Sequence, residues 1–315
     1  MVKTNKIGLV FSGGGGKGAY QIGVWKALEE FGVADNIQGV SGTSVGALNA
    51  ALFLQNDLKT AEEVWQSISP DKILSLDAEK IIEILTSLGV SASGKVPIFL
   101  KSISDHGIFK RDGLEKIIDK YLDINYVSNS SIPFYATCCR KRKVKKKVKY
   151  FKLNNCNKDK FKSIMLATSA IPIVFGAEEI DGKKYIDGGC LFGDNKPVKP
   201  LYDEGFKLIF LVHLKRRSTI DRSKFPNTKI IEVFPQNDQG GIFRGTLNFN
   251  SEVAMKRMKY GYKDMKKILE PIYEMAKTQR DFNNILLDLK ESEEKWEESI
   301  SERERLKDKH SDFFN

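Results

Sequence analysis

Residues 42–46 read Gly-Thr-Ser-Val-Gly, a G-x-S-x-G motif, and its flanks limit the fold more than any other stretch. Before it, Ile37-Gln38-Gly39-Val40 predicts a short strand. After it, Val45 to Gln55 is small and apolar and predicts a buried helix. A serine at the apex of so tight a strand-to-helix turn leaves no room for side chains two positions to either side, where Gly42 and Gly46 stand. The hydroxyl of Ser44 then projects clear of the backbone, at the positive end of a helix. In that context the motif reads as a nucleophile elbow, and the chain as an α/β protein.

A second glycine-rich turn precedes it. Lys6 to Phe11 predicts a first strand and about Ala19 to Phe31 a helix with Ile22, Trp25, Leu28 and Phe31 on one face. Between them lies Ser12-Gly13-Gly14-Gly15-Gly16-Lys17-Gly18. Gly13, Gly15 and Gly18 satisfy G-x-G-x-x-G, but a dinucleotide site also wants an acidic residue at the end of the second strand. That strand ends in Ser41-Gly42, and Asp35 comes before it. A Walker A loop fails as well, because Gly18 stands where Ser or Thr would follow the lysine. The preferred reading is a site for a transient oxyanion: backbone without side chains aims N–H groups at a point beside the Ser44 hydroxyl.

Downstream, helical spacing recurs over 58–68, 78–88 and 111–122, with a loop at 91–94 and His106 in another loop, where a surface role is expected. A strand over 132–139 and its partner over 148–153 predict a hairpin. Its tip, Arg140 to Lys149, holds eight basic residues in ten. A helix over 161–168 is broken at Ser169-Ala170-Ile171-Pro172. Strands over 173–180 and 184–186 flank the turn Asp181-Gly182 and lead into Asp187-Gly188-Gly189, an aspartate at a strand end, where α/β folds collect catalytic groups. Asn195 to Val198 is expected to open a helix. Strands follow over 207–214 and 229–234, and Asn250 or Ser251 can cap a helix running to Leu269. After Pro271, Met275, Phe282, Leu289 and Trp296 recur every seven residues, with Ile272, Leu286 and Ile300 beside them. One or two helices that pack on the body or on a partner are expected, so oligomers could form there.

Composition narrows the class. An excess of 51 Lys and Arg over 41 Asp and Glu gives +10, which favours an anionic partner, phospholipid or nucleic acid. The basic hairpin lacks interleaved aromatic side chains, which argues against nucleic acid and for peripheral contact with an anionic membrane. No run approaches the roughly 18 apolar residues of a membrane span. The N-terminus shows no secretory h-region, and four cysteines without metal-ligand spacing read as reduced thiols. A cytoplasmic location is expected, with peripheral membrane contact.

Three blocks line up: the glycine loop at 13–18, G-x-S-x-G at 42–46, and Asp187-Gly188-Gly189. With Ala167-Thr168-Ser169-Ala170-Ile171-Pro172 and Asn195-x-Pro197-Val198, they resemble the patatin-like phospholipase family, bacterial type, over about residues 6–265, with 271–315 a helical extension. The resemblance implies a three-layer α/β/α sandwich related to α/β hydrolases. It also implies acyl-ester hydrolysis of phospholipids or other lipid esters by a Ser–Asp dyad, without metal or cofactor. On this chain Ser44 would be the nucleophile and Asp187 the base. Gly13, Gly14 and Gly15, with the Val45 N–H, would form the oxyanion hole. Gly16, Lys17, Gly18, Gly42, Gly46, Gly188 and Gly189 complete the motifs. Two departures stand out: Ser12 where plant members have Asp, and five residues, Cys190 to Asp194, before Asn195 where about three are expected. A rival triad would add His213, but His213 lies within the apolar run 209–214, where a structural histidine is expected. The alternative function is a catalytically silent or activator-dependent membrane-binding effector on the same fold.

Overall fold

The computed structural model describes residues 6–69, 112–141, 147–171, 175–190 and 193–311. The expectations for 78–88, 91–94, His106, residues 142–146 of the basic stretch and residues 173–174 lie outside them. Eight described strands form one mixed sheet. They are β1 (Ile7–Phe11), β2 (Ile37–Thr43), β3 (Phe134–Arg140), β4 (Lys147–Lys152), β5 (Glu178–Ile180), β6 (Lys183–Asp187), β7 (Leu208–Val212) and β8 (Lys229–Val233). The order is β5-β6-β3-β2-β1-β7-β8, with β4 paired to β3. β8, β7, β1, β2 and β3 run parallel; β4, β5 and β6 are joined antiparallel.

The register of β3 places the site. Its first half pairs with β2, ending at Thr43 opposite Thr137. Its second half pairs with β6, beginning at Asp187 opposite Cys138. Two strand ends 144 residues apart in sequence are therefore registered against consecutive residues of one strand.

Both sheet faces are covered, as a parallel sheet of near-continuous apolar strands requires. On one face Val10, Ile209, Leu211 and Ile230 pack with Val198, Leu201 and Phe206 around the short helix Lys199–Asp203. On the other, Phe11 meets Phe53 edge to face, and Trp25 packs on the same ring. The helices are α1 (Ala19–Glu30), α2 (Val45–Gln55), α3 (Leu58–Ser67), α4 (Asp112–Tyr121), α5 (Ile124–Ser128), α6 (Lys158–Thr168), α7 (Lys199–Asp203) and α8 (Ser251–Ser311). α7 starts after Asn195–Val198, because that segment is tied to β2 instead: Ser41 Oγ donates to the Pro197 carbonyl at 2.6 Å and Thr43 Oγ1 to that of Asp194 at 2.9 Å.

Ile22, Trp25 and Leu28 of α1 are buried as the spacing predicts, but so are Tyr20, Val24 and Ala27. The first turns of α8 cover this second face: Tyr20 Oη donates to Asp264 Oδ2 at 3.1 Å. Asn250 caps α8 by accepting from the Val253 N–H at 3.1 Å. The helix does not stop at Leu269; it continues through Pro271 to Ser311. A proline removes one ladder bond, and the helix-favouring Glu, Lys, Leu, Met and Ala around it support continuation. The chain divides into two compact units, Met1–Lys266 and Lys267–Asn315. In the second, Met275, Phe282, Leu289 and Trp296 are exposed. No helix among the described residues is long and apolar enough to cross a membrane.

Candidate active site

Ser44 sits between β2 and α2 with φ 57° and ψ −129°, a backbone conformation that costs a non-glycine residue on the order of 1–3 kcal/mol. The surroundings hold it there. The Ser44 N–H donates to Thr168 Oγ1 at 2.9 Å, and that hydroxyl donates to the Thr137 carbonyl at 2.6 Å. The Ala47 N–H closes the first turn of α2 on the Ser44 carbonyl at 2.9 Å. The flanking glycines are required by contact: a Cβ on Gly42 would lie 2.4 Å from the backbone of Gly46 and Ala47, and one on Gly46 would lie 2.2 Å from the Phe11 carbonyl.

Asp187, the last residue of β6, is 5% exposed and lies beside Ser44. Its N–H donates to the Ala170 carbonyl at 2.9 Å, and its Oδ1 accepts from the Gly189 N–H at 2.6 Å. Burial raises its pKa to about 6; hydrogen bonds from the Ser44 hydroxyl and the Gly189 N–H act in the opposite sense. The result is a carboxylate that is ionised at neutral pH and far more basic than one in water. Gly188 allows close packing on the Thr137 carbonyl, 2.3 Å from where a Cβ would stand.

The glycine loop wraps over the same point. Gly15 to Gly18 form one 3-10 turn leading into α1. The Gly13 N–H is already committed to the Asn195 carbonyl at 3.3 Å, and Asn195 Nδ2 returns a bond to the Gly13 carbonyl at 3.1 Å. This departs from the expectation of Gly13 as a free donor: the segment 194–197 closes over it. Among the described residues, no acceptor takes the N–H groups of Gly14, Gly15 or Val45. Ser12 Oγ accepts from the Leu214 N–H at 3.1 Å and so ties the loop to the end of β7.

Several supports carry no local signature in the sequence. Asn49 of α2 donates to the Gly18 carbonyl at 3.0 Å and to Gln21 Oε1 at 2.8 Å, and accepts from Trp65 Nε1 at 3.1 Å. Gln21 in turn donates to the Ser12 carbonyl at 2.7 Å. Thr168 fixes Ser44, and Arg257 reaches the Gly16 carbonyl at 2.9 Å. Of these, Thr168 lies in a block that the sequence marks, residues 167–172.

Two cavities meet at Ser44. A narrow one of about 80 Å³ is apolar, with Leu48, Leu52, Trp65, Leu114, Ile118 and Phe175 in its wall. A wider one of about 270 Å³ carries charged groups in its wall, among them Lys17, Asp187, Lys196 and Lys215, with His213 beside them. Gly15, Ser44 and Ile171 border both. Lys17 has its pKa lowered, first by burial and then by Arg257 and Lys215, with Asp238 opposing. His213 is buried and bonded through Nε2 to Glu232 Oε2 at 3.0 Å, and its ring stacks on Phe234 with centroids 4.5 Å apart. Burial lowers its pKa to about 4 against the pull of Glu232. Its partner is thus Glu232, not Asp187.

A family model described as patatin-like phospholipase matches residues 9–202, more than half of the chain. The chain belongs to the patatin-like phospholipase family. The matched range holds the glycine loop, the Ser44 elbow and Asp187, and leaves out His213 and Arg257. Among curated relatives, the lysophospholipase nte1 of Aspergillus terreus is 52% identical over 50 residues, which is 16% of this chain and 3% of that protein. Patatin-like phospholipase domain-containing protein 7 of Mus musculus is 47% identical over 55 residues, 18% of this chain and 4% of that protein. The matches thus span a small part of these relatives' length. Among solved structures, VipD from Legionella pneumophila is 15% identical with a TM-score of 0.51, covering 85% of this chain and 67% of that one. That likeness shows the patatin-like fold.

Proposed function

We propose that this protein is a serine lipid acyl hydrolase acting on fatty acyl esters of phospholipids or lysophospholipids. The observation that carries the reading is the position of Ser44: beside a buried carboxylate of raised pKa, under unpaired N–H groups, at the junction of an apolar and a lysine-lined cavity. Family membership supports the reaction class.

Ser44 Oγ attacks the ester carbonyl while Asp187 takes its proton. The N–H groups of Gly14, Gly15 and Val45 hold the resulting oxyanion. Collapse of the tetrahedral intermediate expels the alcohol, which leaves with the proton from Asp187. Water then attacks the acyl-enzyme, again giving its proton to Asp187, and the fatty acid departs as Ser44 regains its hydrogen. The acyl chain occupies the apolar cavity. Lys17, Lys196 and Lys215 face a phosphate-bearing headgroup on the other side. The exposed cations Lys147 and Lys149, with the rest of Arg140–Lys149, meet an anionic membrane surface.

The deciding experiment measures fatty-acid release from phospholipid vesicles containing anionic lipid, comparing the wild type with Ser44→Ala. Release by the wild type that disappears in folded Ser44→Ala is expected. Equal release by both proteins would overturn the assignment of Ser44.

A further inference from the structure

The glycine loop has a support that lies outside the range shared with the family. Arg257, in the second turn of α8, is 4% exposed. Its Nη1 donates to the carbonyls of Gly16 at 2.9 Å and Asn248 at 3.0 Å. Its Nη2 donates to those of Gln239 and Arg244, both at 3.2 Å. Among the described residues it forms no ion pair. A buried cation satisfied only by carbonyls keeps its positive charge uncompensated, and burial pushes its pKa down.

The bonds continue from Arg257 toward Ser44. The Gly16 carbonyl shares its peptide with the Lys17 N–H, which donates to the Gly14 carbonyl at 3.3 Å. The Gly14 carbonyl shares its peptide with the Gly15 N–H, one of the unpaired donors at the Ser44 junction. Each link polarises the next in the same sense: a cation pulls electron density from the Gly16–Lys17 peptide, and that peptide pulls on the Gly14–Gly15 peptide. In a low-dielectric setting such chains strengthen by about 10–30% per bond.

We propose that Arg257 is a positioning residue for the proposed hydrolysis: through the Gly16 and Gly14 carbonyls it orients and polarises the Gly15 N–H toward the oxyanion of the tetrahedral intermediate. The inference rests on the acyl-hydrolase reading. It also explains why an arginine stands there. A carbonyl-satisfying role alone needs donors; a role toward a developing negative charge needs a donor that is also a cation. The placement is enforced by the crossing of α8 on α1, where Gly23 faces Met258 and Gly261 faces Tyr20 with no space for a Cβ.

The test uses the full chain and a soluble short-chain p-nitrophenyl ester. Competent sites are counted by labelling Ser44 with a fluorophosphonate. Arg257→Gln is expected to lower kcat per labelled site about tenfold, with KM changed less than about twofold, since a group acting only on the oxyanion leaves ground-state binding alone. Affinity for a trifluoromethyl ketone, which binds serine as a tetrahedral adduct, falls by a similar factor. Arg257→Lys, which keeps the charge and loses the fork, recovers part of both and serves as the readout should Arg257→Gln not fold. A merely structural role would lower the fraction of labelled sites or the melting temperature and leave kcat per labelled site and ketone affinity at wild-type values; that result overturns the inference. Wild-type protein that neither cleaves the ester nor takes the label would sink the hydrolase reading and this inference with it.

Discussion

Asp187 is a carboxylate almost wholly removed from water, held by one backbone N–H and one serine hydroxyl. Two bonds are too few to offset that desolvation, so the native state favours its protonated form. As the base, it must be ionised. We expect kcat/KM to rise with pH through a midpoint near 6 and then level, and to fall about tenfold per unit below it. A profile flat from pH 5 to 8 in the wild type would contradict the assignment. The same shift bears on stability. Below pH 3.8 the group is protonated in both folded and unfolded chains and contributes nothing. Between about 4 and 6 the unfolded chain loses its proton first, so the native state loses stability as pH rises. Above 6 the full penalty applies, about 3 kcal/mol for a shift of roughly two units. Asp187→Asn removes that penalty while its Oδ1 can still accept from Gly189. The variant is expected to be inactive yet more stable than the wild type by up to about 3 kcal/mol at pH 8, with the difference vanishing near pH 4. Urea unfolding at the two pH values reads it; a variant no more stable at pH 8 would mean that Asp187 is not strained by burial.

At the scale of elements, the site is a junction of strand ends, and its parts differed in how well they could be read from sequence. β2, the turn at Ser44 and α2 were legible because a tight turn demands small residues at fixed offsets, and Gly42 and Gly46 meet that demand. Asp187 was legible as an aspartate before two glycines at a strand end. The hairpin of β3 and β4 was legible from alternation, but the pairing of β6 with the second half of β3 was not, and that pairing is what brings Asp187 to Ser44. Thr168 and Arg257 act across 124 and 241 residues of sequence; the block around Thr168 stands out, but no local pattern announces Arg257 or tells what either side chain holds. The continuity of α8 past Leu269 was illegible for a different reason: a proline removes one ladder bond, and whether the helix survives it is decided by the neighbours. The crossing of α1 and α8 yields its own prediction. A Cβ on Gly261 would stand 1.9 Å from the Tyr20 carbonyl, so Gly261→Ala must push the helices apart. A loss of about 1–3 kcal/mol is expected from urea unfolding. Gly241→Ala, where a Cβ meets nothing within 4 Å, serves as the comparison and is expected to be near neutral. Equal stability of the two variants would show that the crossing can yield.

For the whole molecule, charge is divided unevenly along the chain. Of the 51 Lys and Arg, 8 lie after Pro271, together with 12 of the 41 Asp and Glu, so the last 44 residues carry −4 and residues 1–271 carry +14. The basic character that suits an anionic surface therefore belongs to the unit with Ser44, and the terminal stretch opposes it. Among the described residues Leu269 is the last buried one, and residues 270–298 are exposed throughout. Ending the chain at Pro271 should leave the core of the first unit intact. The fragment is expected to bind vesicles containing anionic lipid about threefold more tightly than the full chain at low salt. Each charge near such a surface is worth at most about 1 kcal/mol, and part of the −4 lies beyond the reach of the surface potential. Its binding should also fall more steeply as salt is raised, because more of it is electrostatic. Co-sedimentation over a salt series measures both. The opposite result, a fragment that no longer binds, would mean that the exposed apolar row Met275, Phe282, Leu289 and Trp296 makes the membrane contact. In that case hydrophobic insertion would outweigh the charge of the catalytic unit, and the salt dependence of the full chain should be shallow.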